Sequence, residues 1–139
     1  ANADLARWVE AGVPSAVRWN GRPGDKQLAW IEKEMVDATH EGEIVILLGH
    51  HPVLPNKRHS VWDSDGVAQL FQKYPCAKAY LNGHDHAGAN VDADGFHYLT
   101  MDGMVETEST NAYAYAEVYP DRLEVVGFGR QESHSLTFR

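Results

Sequence analysis

Two short stretches of this sequence carry side chains suited to metal chemistry. His84 and His86 lie two apart in Gly83-His84-Asp85-His86, and His50 and His51 are adjacent in Gly49-His50-His51-Pro52. Neutral imidazole is the commonest protein ligand for a metal ion and also carries protons near neutral pH. In extended backbone, residues i and i+2 project to one side about 7 Å apart. That spacing offers one imidazole to each ion of a pair held roughly 3.5–4 Å apart, with Asp85 facing away. Taken alone, His-x-His reads equally well as a solvated turn. Adjacent residues at a strand end point to opposite sides, so only one of His50 and His51 is expected to serve a given site. The other reading of that pair is one histidine capping a sheet beside an exposed one. Two such motifs, each directly after an apolar run, favour a metal site over a coincidence of turns.

The remaining reactive residues fit other chemistries poorly. A cupin-type His-x-His needs a glutamate three or four residues on, where Ala89, Asn90 and Val91 stand. The metallo-β-lactamase pattern H-x-H-x-D-H fails at Gly88 and Ala89. There is no CxxC pair, HExxH, Walker loop or G-x-S-x-G elbow. Cys76 follows Pro75 at a strand start and reads as packing. His97 sits inside an apolar segment and reads as a hydrogen-bonded core or rim histidine. His40 falls at a helix C-terminus, where the dipole favours a partly charged ring. His59 lies in a loop, with solvent exposure expected and substrate contact as the alternative. Glu106 and Glu108, after the Gly103 turn, read as a solvated loop, and His134 receives no role.

The elements that must position these residues alternate. Residues 1–24 read as an irregular lead-in punctuated by Gly12, Pro14, Gly21, Pro23 and Gly24. Asp25 is expected to N-cap a helix from Lys26, with Leu28, Ile31 and Met35 on one face and Gly42 as its stop. Glu43–Leu48 is a nearly continuous apolar strand, expected to be covered on both faces of an α/β sheet. A loop over 53–63 leads to a second helix over Asp65–Tyr74, with Val67, Leu70, Phe71 and Tyr74 on one face. Ala77–Leu81 is a second strand that again ends in histidines. Ligand residues of open α/β sheets gather beyond strand carboxyl ends, so the two motifs are expected to converge. Further strands are expected over Phe96–Met101, Ala112–Tyr119 and Leu123–Phe128, with a turn at Pro120-Asp121.

Composition narrows the function. The 139 residues, 43% hydrophobic and 23% charged, suit a single soluble unit. A formal charge of −8 leaves no basic footprint for nucleic acid. No apolar run approaches the roughly 20 residues that span a bilayer, so no membrane partner is expected. Residues 1–20 show no signal-peptide pattern. Cys76 alone makes no internal disulfide, and a cytoplasmic setting is expected.

A buried strand ending in G-H-x-P, a helix, and a second strand ending in G-H-x-H resemble the last two blocks of calcineurin-like metallophosphoesterases. Gly24-Asp25-Lys26-Gln27-Leu28-Ala29-Trp30 resembles the helix start that precedes the histidine strand in that family. The run Tyr80–Gly88, with Gly95-Phe96-His97-Tyr98-Leu99-Thr100 and Gly103-Met104-Val105-Glu106-Thr107, looks like its manganese-dependent ADP-ribose/CDP-alcohol diphosphatase branch. The likeness runs from about Trp19 to Arg130. It implies an α/β fold, the C-terminal half of a two-sheet sandwich flanked by helices, as one partial domain over residues 1–139.

The resemblance also implies roles. His50 and His84 would bind one metal and His86 the other. His51 is a candidate substrate contact, and the loop Val53–Trp62 would lie beside the leaving group. Two divalent ions (manganese, iron or zinc) would polarise a phosphoryl group and activate water for in-line attack. The expected activity is hydrolysis of a small phosphoester or nucleoside-diphosphate-linked substrate, as a phosphodiesterase or pyrophosphatase. The family's D-x-H, G-D and G-N-H-D/E blocks are absent from these residues. Three neutral imidazoles bring no charge against two divalent ions, whose repulsion a bridging carboxylate normally offsets. The chain alone is therefore expected to hold one ion or none, and an N-terminal half or a second copy of the chain to complete the site. The alternative is a non-catalytic metal-binding or interaction fragment.

Overall fold

Leu28, Ile31, Met35 and Ala38 recur at helical spacing, and they form the inner face of a helix over Asp25–Glu41, with Met35 and Ala38 buried. The computed structural model describes residues 2–139, with side chains from Asp4 onward. In chain order the elements are α1 (Asn2–Glu10), α2 (Asp25–Glu41), β1 (Val45–Leu48), α3 (Ser64–Lys73), β2 (Ala77–Asn82), β3 (Ala89–Ala93), β4 (Phe96–Thr100), β5 (Ala112–Val118), β6 (Arg122–Gly129) and β7 (His134–Thr137). Gly42 closes α2 as expected. The N-cap is Gly24, not Asp25. Asp25 lies inside the first turn, where the helix dipole favours its charge and Arg22 pairs with it.

One sheet has the order β1-β2-β4-β3, with β1, β2 and β4 parallel and β3 antiparallel to β4. A second, antiparallel sheet has the order β5-β6-β7. Strand alternation sends Phe96 and Tyr98 of β4 toward the helices and Leu99 toward the second sheet. The first core joins α2, α3 and the sheet through Met35, Val67, Phe71, Phe96 and Tyr98. The second lies between the sheets, where Ala79 and Leu99 meet Leu123, Val125 and Leu136. Fully burying a side chain such as Phe96 or Leu99 contributes roughly 1.5–3 kcal/mol. His97 is a core histidine as expected, its Nε2 donating to Thr137 O at 2.7 Å.

Three expectations need correction. The lead-in is not wholly irregular: residues 2–10 form α1, whose half-buried stripe of Leu5 and Trp8 is too short to show a period. β1 is not covered on both faces. It is an edge strand, with β2 as its sole neighbour in the sheet among the described residues, which leaves Leu48 78% exposed and Ile44, just before β1, 41% exposed. Two strands, β3 and β7, add to those expected. Ala-Asn-Val-Asp-Ala has low intrinsic strand preference and is held by its pairing with β4. His-Ser-Leu-Thr buries only Leu136. Among the described residues, no helix is long and apolar enough to cross a membrane.

Candidate metal centre

β1 and β2 run parallel with Leu48 opposite Leu81, so the segments that follow them emerge side by side. Two backbone bonds carry the pairing past the strands: Gly49 N–H to Leu81 O and Gly83 N–H to His50 O, both 3.1 Å. Gly49 permits a close approach, because a Cβ there would stand 2.1 Å from Tyr80 Oη. That hydroxyl donates to His51 O at 2.8 Å and so pins the backbone of the motif. Burial pushes the Tyr80 hydroxyl up to about 12, which keeps it a donor throughout the physiological range.

The motifs converge. His50 Nε2 lies 3.1 Å from His84 Nδ1. The His51 and His84 rings are 4.3 Å apart between centroids, and the His50 and His51 rings 5.0 Å. Contrary to expectation, His50 and His51 both turn to this side, because extended backbone ends at Leu48 and the chain bends at His50 and His51. The sharp turn after β2 is made by His84, at φ +66°. This left-handed conformation costs a non-glycine residue about 1–2 kcal/mol. It also breaks the alternation that would have sent His84 and His86 the same way. His86 stands outside the cluster, with its Nδ1 2.5 Å from Glu106 Oε1.

Outer contacts set the protonation pattern. The Asn20 amide donates to Ser15 O at 2.9 Å and to Arg58 O at 2.6 Å, so both its hydrogens are used. Its Oδ1, an acceptor, then faces His84 Nε2 at 3.1 Å. His84 therefore carries its hydrogen on Nε2 and keeps the Nδ1 lone pair toward His50. Similarly His51 Nε2 donates to Trp19 O at 3.2 Å, leaving its Nδ1 as the lone-pair nitrogen. Burial, then repulsion from His51, His50 and His59, holds His84 below the usual histidine range, against an opposing pull from Asp85. Burial and His50 lower His51 likewise, partly offset by the Trp19 bond. Both rings are thus neutral at neutral pH, the form that binds metals.

His50, His51 and His84 offer ligand atoms all within 4.8 Å of one another. Three imidazoles so grouped fit one divalent transition ion, for which three histidines and a water form a known ligand set. Three residues around this cluster and His86 carry no sequence signal for their roles. Asn20 is buried and orients His84, yet nothing in Trp19-Asn20-Gly21 marks it. His59 is half-buried, not solvent-exposed, with its ring 5.5 Å from that of His84. Glu106, expected in a solvated loop, faces His86. The Asn20 and Glu106 contacts cross 64 and 20 residues of chain and leave no local spacing signal.

The sequence matches the calcineurin-like phosphoesterase family over residues 8–88, a span that contains the whole cluster. The chain belongs to that family. Among its relatives are the manganese-dependent ADP-ribose/CDP-alcohol diphosphatases. That of Arabidopsis thaliana is 35% identical over 84% of this chain and 39% of its own length. That of Oryza sativa is 35% identical over 88% of this chain and 40% of its own length. A crystal structure of a dimetal phosphatase from Danio rerio superposes with a TM-score of 0.84 at 28% identity, covering 90% of this chain and 41% of that one. The expected mixed α/β fold with two sheets and flanking helices is that of a calcineurin-like phosphoesterase. The chain spans about two fifths of the length of the curated relatives it matches.

Proposed function

We propose that this chain supplies the histidine side of a metal-dependent phosphoesterase or pyrophosphatase site. The observation that carries the reading is the approach of His50 Nε2 to within 3.1 Å of His84 Nδ1 beyond two parallel strand ends. In this reading His50 and His84 hold one divalent ion and His86 holds the other. His51 contacts the substrate phosphate in the complete site. The manganese dependence of the diphosphatase relatives and the similarity to a dimetal phosphatase favour manganese, iron or zinc in a pair. Such ions supply Lewis-acid polarisation of the phosphoryl group and an activated water. The substrate is a small phosphoester or nucleoside-diphosphate-linked molecule, by analogy with the diphosphatase relatives.

The chain's own residues orient the candidate ligands. Asn20 and Trp19 fix which ring nitrogen of His84 and of His51 keeps its lone pair. The loop after His51 brings His59 over His84. The family's carboxylate blocks, absent from this sequence, belong to a further N-terminal half, while a second copy of the chain is the other partner that would cover the exposed sheet edge. The open edge of β1 supports this, as does a groove of about 560 Å³ lined by Trp30, Ile31, Val45 and Leu47. A reducing, cytoplasmic setting fits the single buried Cys76.

The test is hydrolysis of ADP-ribose or a CDP-alcohol with manganese, using the chain alone and the chain with an N-terminal half from a diphosphatase relative. Turnover by the assembly that disappears in His84→Ala is expected. Turnover that persists in that variant overturns the assignment. The absence of a carboxylate from the three-histidine cluster favours one second reading, a non-catalytic metal-binding fragment. One bound ion and no turnover in any assembly would be its signature.

A further inference from the structure

A loop of this chain folds back onto His86 and is held there from several sides. Gly103 N–H donates to His86 O at 3.0 Å. Gly103 is buried against the ring, and a Cβ there would sit 2.6 Å from both Cβ and Cγ of His86. Arg130, just after β6, donates through Nη2 to Gly103 O and through Nε to Thr110 O, so it ties both ends of the loop to the second sheet. Within the loop, Thr107 Oγ1 donates to Thr110 O at 2.8 Å. The outcome is Glu106 Oε1 at 2.5 Å from His86 Nδ1.

We infer that Glu106 is the positioning residue for metal binding by His86, accepting the Nδ1–H so that Nε2 keeps the lone pair that ligates. The inference rests on the reading of His86 as a ligand. An ionised carboxylate only accepts hydrogen bonds, so the hydrogen of a neutral His86 ring must lie on Nδ1. Nε2 is then the sole nitrogen left to bind an ion. In water the opposite tautomer, with hydrogen on Nε2, is preferred, so the carboxylate reverses the intrinsic preference. Glu106 also brings a carboxylate to a site whose other candidate ligands here are imidazoles. Asn20 performs the matching task on His84, from the opposite ring nitrogen.

The test uses the full chain, labelled with ¹⁵N and paired with an unlabelled N-terminal half from a diphosphatase relative, and long-range proton–nitrogen spectra of the histidine rings, with the His86 signals assigned from His86→Gln. The wild type is expected to show the Nδ1–H tautomer at neutral pH. Addition of zinc should shift Nε2 and leave the Nδ1–H signal in place. Glu106→Ala should revert His86 to the Nε2–H tautomer and weaken zinc binding at His86 by roughly 10–100-fold. Glu106→Gln retains an acceptor oxygen, so it should keep the tautomer and recover only part of the affinity. An unchanged His86 tautomer in Glu106→Ala overturns the inference, as does zinc binding through Nδ1. If zinc never shifts His86 in the wild type, the ligand assignment fails and the inference falls with it. If zinc shifts His86 equally in the wild type and in Glu106→Ala, only the inference fails.

Discussion

His50 Nε2 and His84 Nδ1 lie 3.1 Å apart although 34 residues separate them in the chain. Two ring nitrogens at that distance cannot both direct hydrogens at each other. Either one donates to the other, or both lone pairs face a cation. The Asn20 contact leaves His84 Nδ1 without a hydrogen, so the choice falls on His50.

This relationship predicts that His50→Ala and His84→Ala each remove the same ion. Cobalt is a convenient probe, since its visible spectrum reports tetrahedral coordination. Each variant is expected to lose more affinity than the roughly 10–100-fold that follows loss of an outer partner. The double variant should lose little beyond either single one, because the residues act on one ion. Full additivity in a titration of the four proteins would separate them into two sites.

The pH dependence of the metal-free protein follows from the lowered His51 and His84. Both are harder to protonate in the folded chain than in the unfolded one. Below the ordinary histidine pKa of about 6.5, the unfolded state takes up protons first, and the folded state loses ground. The contribution is present above that value and lost as pH falls through the lowered ones. Chemical denaturation between pH 5 and 8 should show stability rising with pH. The slope should flatten in His84→Gln, and an identical slope in that variant would count against the cluster's neutrality.

Asn20 is buried, with polar contacts to Ser15 in its own segment and to Arg58 and His84 elsewhere in the chain. Asn20→Ala strands the carbonyls of Ser15 and Arg58 and is expected to cost about 1–3 kcal/mol. Asn20→Asp should be worse, since a carboxylate would face those two carbonyls without a hydrogen to offer. Thermal melts rank the three proteins. The ranking fails if the aspartate variant matches the wild type.

Tyr80 and Gly49 form a second testable pair. Tyr80→Phe removes the donor to His51 O and should cost about 1 kcal/mol. Gly49→Ala should cost more, since its Cβ meets Tyr80 Oη at 2.1 Å and the ring carbons Cζ and Cε2 at 2.8 and 2.9 Å. In a Tyr80→Phe background the first clash disappears and the ring contacts remain. The glycine substitution should then be milder without becoming neutral, a coupling that a double-mutant cycle measures directly.

Much of the architecture is legible in residue order. The periodicity of Leu28, Ile31 and Met35 marks α2, and the apolar runs before Gly49 and Gly83 mark β1 and β2. Those are local signals, carried by side-chain period and by glycine. They are enough to place His50 and His84 at strand ends and to expect them to meet. Strands β3 and β7 are not legible, because Ala89–Ala93 and His134–Thr137 take their conformation from their neighbours.

What the sequence determined by itself was the set of histidines and the strands that deliver them. Tertiary structure decided which rings meet. His51 joins His50 because the backbone bends after Leu48, and His86 leaves His84 because His84 itself takes the left-handed turn. Asn20 and Glu106 reach the histidines only through folding, across 64 and 20 residues. A ring's tautomer depends on the atom facing its other nitrogen. That atom comes from a distant part of the chain, so no spacing of letters along the sequence records it.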